Sequence, residues 1–435
     1  MSRNPSVLNR RQFLAGSAAA LSVPFFVPAR SLGLAGNVAP SERITVGIIG
    51  TGGRGVALIN MFLNEKDVEI LAVCDVDARH LQNGLQAVQK RTGKECASYK
   101  DFRQLLERKD LDAVVVATPD HWHGLISIAA ARAGKDIYCE KPLVNSIAEG
   151  RALCKAVSEN KRILQTGSHE RSTPSVRFAC ELVRNGLIGK VHTVRIHLPC
   201  NDGHHQKARA LNTIPPEEPV PEGFDYDFWL GPAPKAPYTP LRTHFWWRFI
   251  LAYGGGEMTD RGAHIIDLAQ LGLGTDDTGP VEIEARGVQT KGSLYDAFWD
   301  YQFTNIYANG VQMIGSTATP RGLKFEGTDG WIFIHIHGGK LEAEPASLLK
   351  TDPSQFKLSL GRSPGHVRNF LDAVKSRKDP VAPAEVGHRT ATICHLNNIA
   401  MRLGKKLKWD PVAEQTNDAE ANKYLQPHLR APWKL

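Results

Sequence analysis

The chain has 435 residues, of which 42% are hydrophobic and 23% charged, and this length and balance predict a globular protein of two domains. The formal net charge is +8, but residues 1–40 hold four arginines and no acidic residue, so 49 basic residues face 45 acidic ones in the rest of the chain. Because the remaining charge is scattered and not interleaved with aromatic residues, nucleic-acid binding is excluded as a function class. The seven cysteines form no CxxC pair, which argues against a zinc ribbon or a thioredoxin-like site.

The N-terminus reads NRRQFLAG at residues 9–16, and its paired arginines precede an apolar stretch that runs from Phe13 to Ala29. Glycine, serine and proline interrupt this stretch, so it is too short and too broken for a stable transmembrane helix. Paired arginines before such a stretch are typical of a twin-arginine export signal. We therefore expect residues 1–40 to be signal and linker, the export partner to be the twin-arginine machinery, and the mature protein to be periplasmic or otherwise exported. A disordered basic tail is the alternative, although it gives no reason for the apolar run.

From Arg43 onward, short apolar runs rich in valine and isoleucine alternate with longer helical segments. The predicted strands are 43–50, 68–75, 112–119, 135–142 and 162–168. The predicted helices are 54–64, 78–92, 101–108, 121–134 and 146–160. Strands this apolar are covered on both faces, as in a parallel sheet built from right-handed crossovers. Residues 41–166 are therefore predicted to form a doubly wound α/β domain of the Rossmann type.

Beyond about residue 190 the pattern changes to strands that alternate polar and apolar positions, as in KVHTVRIHLP and VEIEARGVQ. This alternation predicts an open, mostly antiparallel sheet in an α/β domain over residues 167–435. Asn309-Gly310, between two such strands, predicts a type I′ hairpin turn. The segment 201–253 is a long insertion rich in proline and aromatic residues, and loops of that length are usually functional or disordered. Residues 365–378 and 385–406 are predicted helices.

Gly50-Thr51-Gly52-Gly53-Arg54-Gly55 satisfies GxGxxG directly after a strand and at the start of a helix. In this context Gly50 allows the tight turn, Gly52 lets the backbone approach a pyrophosphate, and Gly55 permits close packing of helix on strand. The helix N-terminus offers free N–H groups and a partial positive charge to the phosphates. The sequence thus predicts a dinucleotide site.

Asp75 closes the second predicted strand, twenty residues after the last of these glycines. A carboxylate at this place accepts hydrogen bonds from the ribose hydroxyls and repels a 2′-phosphate, which favours NAD over NADP. Arg79 lies four residues further on and leaves NADP open.

Two further stretches carry candidate catalytic groups. CEKP, at residues 139–142, follows a strand and places Lys141 at the carboxyl edge of the sheet, where ligands of such folds bind. In GGGEMTDRGAHIIDLAQ, residues 254–270, Asp260 and His264 share one face if a helix runs through both. A lysine, a histidine and a nearby carboxylate can remove a hydroxyl proton while hydride leaves the same carbon. The alternative is a carboxylate that caps the first turn of a helix and a histidine that merely packs beside it.

These motifs, together with TPDHWH at residues 118–123, resemble the glucose-fructose oxidoreductase, inositol dehydrogenase and rhizopine catabolism (Gfo/Idh/MocA) family over roughly residues 43–410. The resemblance implies an NAD(P)-dependent oxidoreductase that acts on a carbohydrate or polyol. It implies that Lys141, Asp260 and His264 line the substrate site as the catalytic residues, and that Thr118, Pro119 and His123 lie beside the nicotinamide end. The cofactor-binding residues are then Gly50, Gly52, Gly53, Arg54, Gly55, Asp75, Thr118, Pro119, His123 and Glu140.

The insertion is longer than in simple polyol dehydrogenases of this kind, so the substrate stays open. Its tryptophans 229, 246 and 247 could stack on the C–H face of a sugar ring or anchor the core and a lid. The histidine pairs 121/123, 204/205 and 335/337, the last on one face of a predicted strand, lack a third ligand fixed by spacing, so no metal site is predicted.

An exported member of this family would carry its NAD folded inside it, which predicts a tightly held cofactor and a reaction without net redox change. Two such reactions are a sugar–sugar oxidoreductase and an NAD-dependent glycoside hydrolase working by transient oxidation, elimination and hydration; an ordinary dehydrogenase is the broadest alternative. A non-catalytic binding protein is disfavoured because Lys141 and His264 are both present. Direct hydrolysis by two carboxylates is disfavoured because no acid pair stands out. An apolar second face on the C-terminal sheet would be buried in a homo-oligomer.

Overall fold

The computed structural model describes residues 38–435, so the predicted export signal lies outside the described residues except for its last three positions. Residues 44–435 form one compact unit, and the described residues 38–43 belong to a separate first unit. In the described part of the first unit, Pro40–Glu42 form a 3-10 turn and the Arg43 guanidinium donates hydrogen bonds to the Val38 carbonyl. Among the described residues, no helix combines the length and the apolar character needed to cross a bilayer.

Six parallel strands form the first sheet of the larger unit, in the spatial order β3-β2-β1-β4-β5-β6. They are β1 (Ile44–Ile49), β2 (Val68–Cys74), β3 (Ala97–Tyr99), β4 (Ala113–Val116), β5 (Asp136–Cys139) and β6 (Leu164–Thr166). Every residue of β4 and β5 is buried, because helices cover both faces of the sheet. The prediction of a doubly wound α/β fold is confirmed.

Five helices accompany this sheet. They are α1 (Gly53–Phe62), α2 (Ala78–Thr92), α3 (Phe102–Leu106), α4 (Asp120–Arg132) and α5 (Ile147–Glu159). Asp77 and Ser146 cap α2 and α5, each accepting a hydrogen bond from a first-turn amide. No side chain caps α1 or α4, whose first residues follow β1 and β4 at the carboxyl edge of the sheet. The N-terminus of α1 therefore presents uncapped amide groups at that edge, whereas in α4 the His121 amide already donates to the Tyr253 carbonyl at 3.2 Å.

The second sheet has nine strands in the order β13-β12-β11-β7-β10-β9-β8-β14-β15, and only the β7–β10 pair is parallel. The strands are β7 (Val191–His197), β8 (Glu282–Val288), β9 (Trp299–Ile306), β10 (Gln312–Ser316), β11 (Gly322–Gly327), β12 (Trp331–His335), β13 (Leu341–Glu344), β14 (Leu407–Asp410) and β15 (Gln415–Thr416). The remaining helices are α6 (Pro174–Arg184), α7 (Gly203–Ala210), α8 (Tyr226–Leu230), α9 (Gly262–Leu273), α10 (His366–Ser376), α11 (Ala384–Leu403) and α12 (Ala419–Lys423). The predicted mostly antiparallel sheet is confirmed, with α6, α9 and α11 packed on one of its faces.

The hairpin between β9 and β10 is present, but its predicted type I′ turn is wrong. The amide of Gly310 donates to the Tyr307 carbonyl at 2.9 Å, and Gly310 has a φ of +84°. A type I′ turn needs positive φ at both central residues, and neither Ala308 nor Asn309 has it. The Asn309 side chain instead accepts a hydrogen bond from the Val311 amide, which fits a type I turn closed by a left-handed glycine.

Helix α10 returns to the first sheet late in the chain. Phe370 packs edge-on against Phe62 and Tyr138, with ring centroids 6.1 and 5.8 Å away. The core under the first sheet thus includes residues from the C-terminal region. The predicted domain boundary near residue 166 stays a prediction.

Candidate active site and cofactor cavity

A cavity of about 360 Å³ opens at the carboxyl edge of the first sheet. The proposed catalytic residues Lys141, Asp260 and His264 all line it. The predicted cofactor residues that line it are Gly50, Gly52, Gly53, Arg54, Asp75, Thr118, Pro119, His123 and Glu140. The structure therefore brings together groups that are more than 200 residues apart in sequence.

The glycine-rich turn between β1 and α1 has the shape that a dinucleotide requires. Gly50 has a φ of +88°, and a Cβ there would lie 2.7 Å from the backbone of Ala117. A Cβ on Gly55 would lie 1.9 Å from the Gly50 carbonyl oxygen, so Gly55 acts in packing and does not line the cavity. Gly53 faces open space, and the uncapped amides of α1 stay available for a pyrophosphate. These residues fit NAD.

The carboxylate of Asp75 is held at the end of β2 by backbone donors. It accepts hydrogen bonds from the amides of Thr51 at 2.7 Å and Asp77 at 2.9 Å, and the ring of His80 lies 3.9 Å away. Burial raises the pKa of Asp75, an effect that these two amides and the histidine oppose. This fixed acceptor at the cavity wall suits a ribose hydroxyl.

Arg54 and Glu140 connect α1 to the CEKP segment. The Nε atom of Arg54 donates to Glu140 Oε1 at 2.7 Å, and Glu140 is 5% exposed. His123 lies below this pair, with its two ring nitrogens 2.7 and 2.8 Å from the carbonyl oxygens of Pro142 and Thr118. Burial lowers the pKa of His123. The histidine thus fixes the two loops that border the cavity.

Lys141 forms an ion pair with Asp260. Its Nζ atom donates to the Asp260 carboxylate and, at 3.1 Å, to the Asp260 carbonyl. The guanidinium of Arg248 approaches the same carboxylate at 3.6 Å from the other side. Burial opposes ionisation of Asp260, but the two cations outweigh it and hold its pKa well below the ordinary value. Arg248 belongs to the insertion and was not found from the sequence, because no motif marks it.

The expectation that one helix runs through Asp260 and His264 is wrong. Helix α9 begins at Gly262, so Asp260 lies in the turn before it and His264 in its first turn. Both residues still reach the cavity, because the turn points the carboxylate inward. Burial, the Lys141 cation and the neighbouring His169 lower the pKa of His264 well below its ordinary value. The imidazole is therefore neutral at pH 7 and able to accept a proton.

Asp120, the first residue of α4, is a second carboxyl in the cavity that sequence reasoning missed. It is 5% exposed, and burial raises its pKa well above the ordinary value although Lys141 and Arg248 oppose this. The pKa values of the two carboxyls are thus shifted in opposite directions, so Asp120 keeps a proton more readily than Asp260. The expectation that no acid pair stands out is wrong, because the pair forms only when residues 140 positions apart meet.

The insertion contributes aromatic side chains to the wall of the cavity. Trp229 and Trp247 line it, whereas Trp246 lies outside and stacks on Tyr295 at 6.0 Å. Trp229 is 5% exposed, and its carbonyl accepts hydrogen bonds from the His121 ring and the Trp122 indole. Trp247 is covered by the guanidinium of Arg248 at 4.6 Å. The residues 201–253 are therefore ordered around the site.

The histidine pairs 204/205 and 335/337 do not have the arrangement expected from the sequence. His204 and His205 are in helix α7, and His205 pairs with Glu257 at 3.0 Å. Strand β12 ends at His335, and His337 follows in a left-handed conformation with φ +61°, so the two do not share a strand face. His335 pairs with Glu342 and His337 with Glu170.

Comparison with known proteins agrees with this fold. Residues 44–168 match the NAD-binding Rossmann fold of the Gfo/Idh/MocA oxidoreductase family, and residues 173–435 match that family's C-terminal alpha/beta domain. The chain is 32% identical over 187 residues to inositol 2-dehydrogenase 1 of Saccharopolyspora erythraea, covering 42% of this chain and 52% of the relative. It is 28% identical over 233 residues to a glycosyl hydrolase family 109 protein of Stenotrophomonas maltophilia, and the match covers 50% of this chain and 47% of that relative. The chain thus spans about half the length of these relatives.

Solved structures share the whole fold. A levoglucosan dehydrogenase in complex with NADH and levoglucosan superposes with a TM-score of 0.61 at 20% identity, over 84% of this chain and 99% of that one. An aldose-aldose oxidoreductase from Caulobacter crescentus complexed with glycerol gives a TM-score of 0.59 at 18% identity, over 84% of this chain and 99% of that one. At this identity the likeness shows the architecture.

Proposed function

Because the chain belongs to the Gfo/Idh/MocA oxidoreductase family, we propose that it oxidises a CH–OH group of a sugar, polyol or sugar derivative with NAD. The observation that carries the proposal is the convergence of Lys141, Asp260 and His264 on the cavity that the glycine-rich turn also borders. The curated relatives include inositol and levoglucosan dehydrogenases, which supports a polyol or sugar as substrate.

The side chains divide the proton chemistry between them. The Lys141 ammonium donates a hydrogen bond to the substrate hydroxyl oxygen and stabilises the charge that develops there, while the Asp260 carboxylate holds the lysine and Arg248 holds that carboxylate. The neutral imidazole of His264 accepts the hydroxyl proton. NAD, when bound, supplies the acceptor for the hydride of the same carbon.

Substitution of the two proton-handling residues tests this assignment. Lys141→Met and His264→Ala should each lower kcat by about 100- to 10,000-fold, because each removes general acid–base or electrostatic assistance. Lys324→Met is the matched control, since this lysine pairs with Glu326 on the second sheet, away from the cavity. Native mass spectrometry checks that each variant keeps its NAD. Unchanged turnover in both cavity variants would remove the site assignment.

One observation favours a second candidate, a glycoside hydrolase that uses NAD without net redox change. Asp120 lies in the same cavity and burial raises its pKa, and a carboxyl that keeps its proton can donate it to a glycosidic leaving oxygen. Oxidation of a ring hydroxyl would acidify the neighbouring C–H, elimination and hydration would follow, and return of the hydride would leave net hydrolysis. Several relatives carry a glycosyl hydrolase family 109 name.

Solvent deuterium separates the two candidates. The chain is incubated with an aryl glycoside in D2O, and NADH absorbance and product mass are followed together. Hydrolysis by transient oxidation predicts release of the phenol, no net NADH, and one carbon-bound deuterium in the sugar. A simple oxidoreductase predicts NADH or a second reduced sugar, and an intact glycosidic bond.

We further propose that the protein is exported folded through the twin-arginine route and holds its NAD tightly. The pattern NRRQFLAG supports export, and the aromatic side chains that the insertion adds to the cavity wall support slow cofactor release. Asp75, whose oxygens face the ribose side of the cavity, supports NAD rather than NADP.

A further inference from the structure

A group of metal-ligand side chains adjoins the cavity beside His264. His169 and Glu170 lie in the 3-10 turn His169–Ser172 that follows β6, and His337 lies in the loop after β12. One ligand atom from each of these three residues lies within 4.8 Å of the other two. We call His169, Glu170 and His337 the histidine–glutamate cluster.

The backbone aims both donors of His337 at one carboxylate oxygen. In its left-handed conformation the residue places its amide 3.0 Å and its ring Nδ1 3.2 Å from Glu170 Oε1. The Nδ1 atom of His169 lies 4.0 Å from the same oxygen. A tetrahedral ion with bonds of about 2.0–2.2 Å needs ligand atoms roughly 3.4 Å apart, so small side-chain adjustments would bring all three into range.

Glu170 differs from the carboxylates of the other two clusters of this kind in the described chain. It is 3% exposed, and its ion-pair partners among the described residues are histidines alone. Asp202, which lies with His204 and His205, is already bound by Arg261 and Arg321 at 2.9 and 3.0 Å. Asp77, beside His80 and His244, pairs with Arg79. Of the carboxylates in these three clusters, only that of Glu170 has no guanidinium partner among the described residues, and a buried charge of this kind calls for a cation.

A second observation is independent of the cluster's own hydrogen bonds. His264 is 5% exposed, and its Nδ1 atom is buried with no hydrogen-bond partner among the described residues. Its ring centroid lies 4.8 Å from that of His169 and 5.4 Å from that of His337. Buried polar atoms are almost always paired, so this orphaned nitrogen beside two further imidazoles points to a missing ligand.

We propose that His169, Glu170 and His337 bind one divalent transition-metal ion, with Zn²⁺ as the first candidate, at the edge of the cavity. Two imidazoles and one carboxylate suit Zn²⁺ and its neighbours rather than Mg²⁺ or Ca²⁺, which prefer oxygen ligands. Three protein ligands leave a position open, as in catalytic rather than structural sites. Because His169 and His264 line the cavity, that position faces it.

The open position suggests what the ion does. It would take a hydroxyl or carbonyl oxygen of the substrate, fixing which carbon lies nearest to Lys141 and His264. The role of the ion in orienting the substrate rests on the proposed function, whereas metal binding itself does not. Either of these two proposals can therefore fail while the other holds.

The test measures metal binding without substrate. The purified full chain is stripped with a chelator and titrated with Co²⁺, whose visible absorption reports tetrahedral or five-coordinate ligation, and zinc content after reloading with Zn²⁺ is measured by elemental mass spectrometry. We expect one ion per chain. His337→Ala and Glu170→Gln should weaken binding at least about 100-fold, since even outer-shell partners of metal sites contribute 10- to 100-fold.

His335→Ala is the matched control, because this histidine lies two residues from His337 but pairs with Glu342 instead. His337 is 41% exposed at its side chain, so its truncation should leave the fold intact, and retained NAD checks this in each variant. A wild-type chain that takes up neither Co²⁺ nor Zn²⁺ at 100 µM, roughly the weakest affinity worth calling a site, would overturn the proposal. Equal affinity in wild type, His337→Ala and Glu170→Gln would overturn it as well.

Discussion

At the scale of single residues, the site contains two carboxyl groups that share one cavity but have pKa values shifted in opposite directions. Lys141 and Arg248 hold the pKa of Asp260 well below its ordinary value, whereas burial raises that of Asp120. Both residues are aspartates, so their pKa values differ because of their surroundings in the cavity.

This difference predicts unequal effects of the same substitution. Because burial disfavours the charged form of Asp120, Asp120→Asn, which puts an uncharged amide in its place, should lower the rate of NAD reduction in a single turnover by less than about tenfold. Asp260→Asn removes the anion that holds Lys141 and should lower that rate by about 100-fold or more. Stopped-flow absorbance of NADH measures both. Equal losses would contradict the different roles given to the two carboxyls.

The sequence predicted the residues that lie in motifs and missed those that act through proximity. Lys141, Asp260 and His264 could be found because each lies in a recognisable stretch. Asp120 also lies in a quoted motif, but nothing local signals that its carboxyl would be buried opposite Asp260. Arg248 and His169 could not be found, because they reach the cavity only through folding of the insertion and of the turn after β6.

At the scale of elements, the contact between β1 and α1 sets the geometry of the cofactor turn. Gly55 lies against the Gly50 carbonyl with no room for a Cβ, whereas Gly53 faces open space. The two positions are two residues apart in one helix and therefore form a matched pair.

Gly55→Ala should destabilise the apo protein by about 1–3 kcal/mol or more, because overpacking forces α1 away from β1. Gly53→Ala should leave the thermal midpoint of the apo protein nearly unchanged, although it narrows the approach of a pyrophosphate. Differential scanning fluorimetry without NAD measures both. A Gly53→Ala variant as unstable as Gly55→Ala would contradict the packing role given to Gly55.

Element types were more predictable than their ends. All five predicted strands of the first sheet are present, but β3 was missed because three half-exposed residues show no periodicity. The condition that one helix runs through Asp260 and His264 is not met, because α9 begins at Gly262 and Asp260 lies in the turn before it. The β9–β10 turn type was wrong because Asn-Gly also suits a type I turn with a left-handed glycine.

At the scale of the whole molecule, the exposed positions of β8 and β9 in the nine-stranded sheet are mostly polar. They include Glu284, Arg286, Asp300 and Gln302, with Val288 as an apolar exception. The homo-oligomer stays a prediction.

The central claim is an oxidoreductase that carries its own NAD in the cavity between the glycine-rich turn and the Lys141–Asp260 pair. Native mass spectrometry of the mature protein, purified with no cofactor added, tests it most directly. We predict one NAD(H) per chain, and NADH absorbance that appears when a reducing sugar or polyol is added. A protein that arrives empty and takes up no NAD when it is supplied would contradict the account.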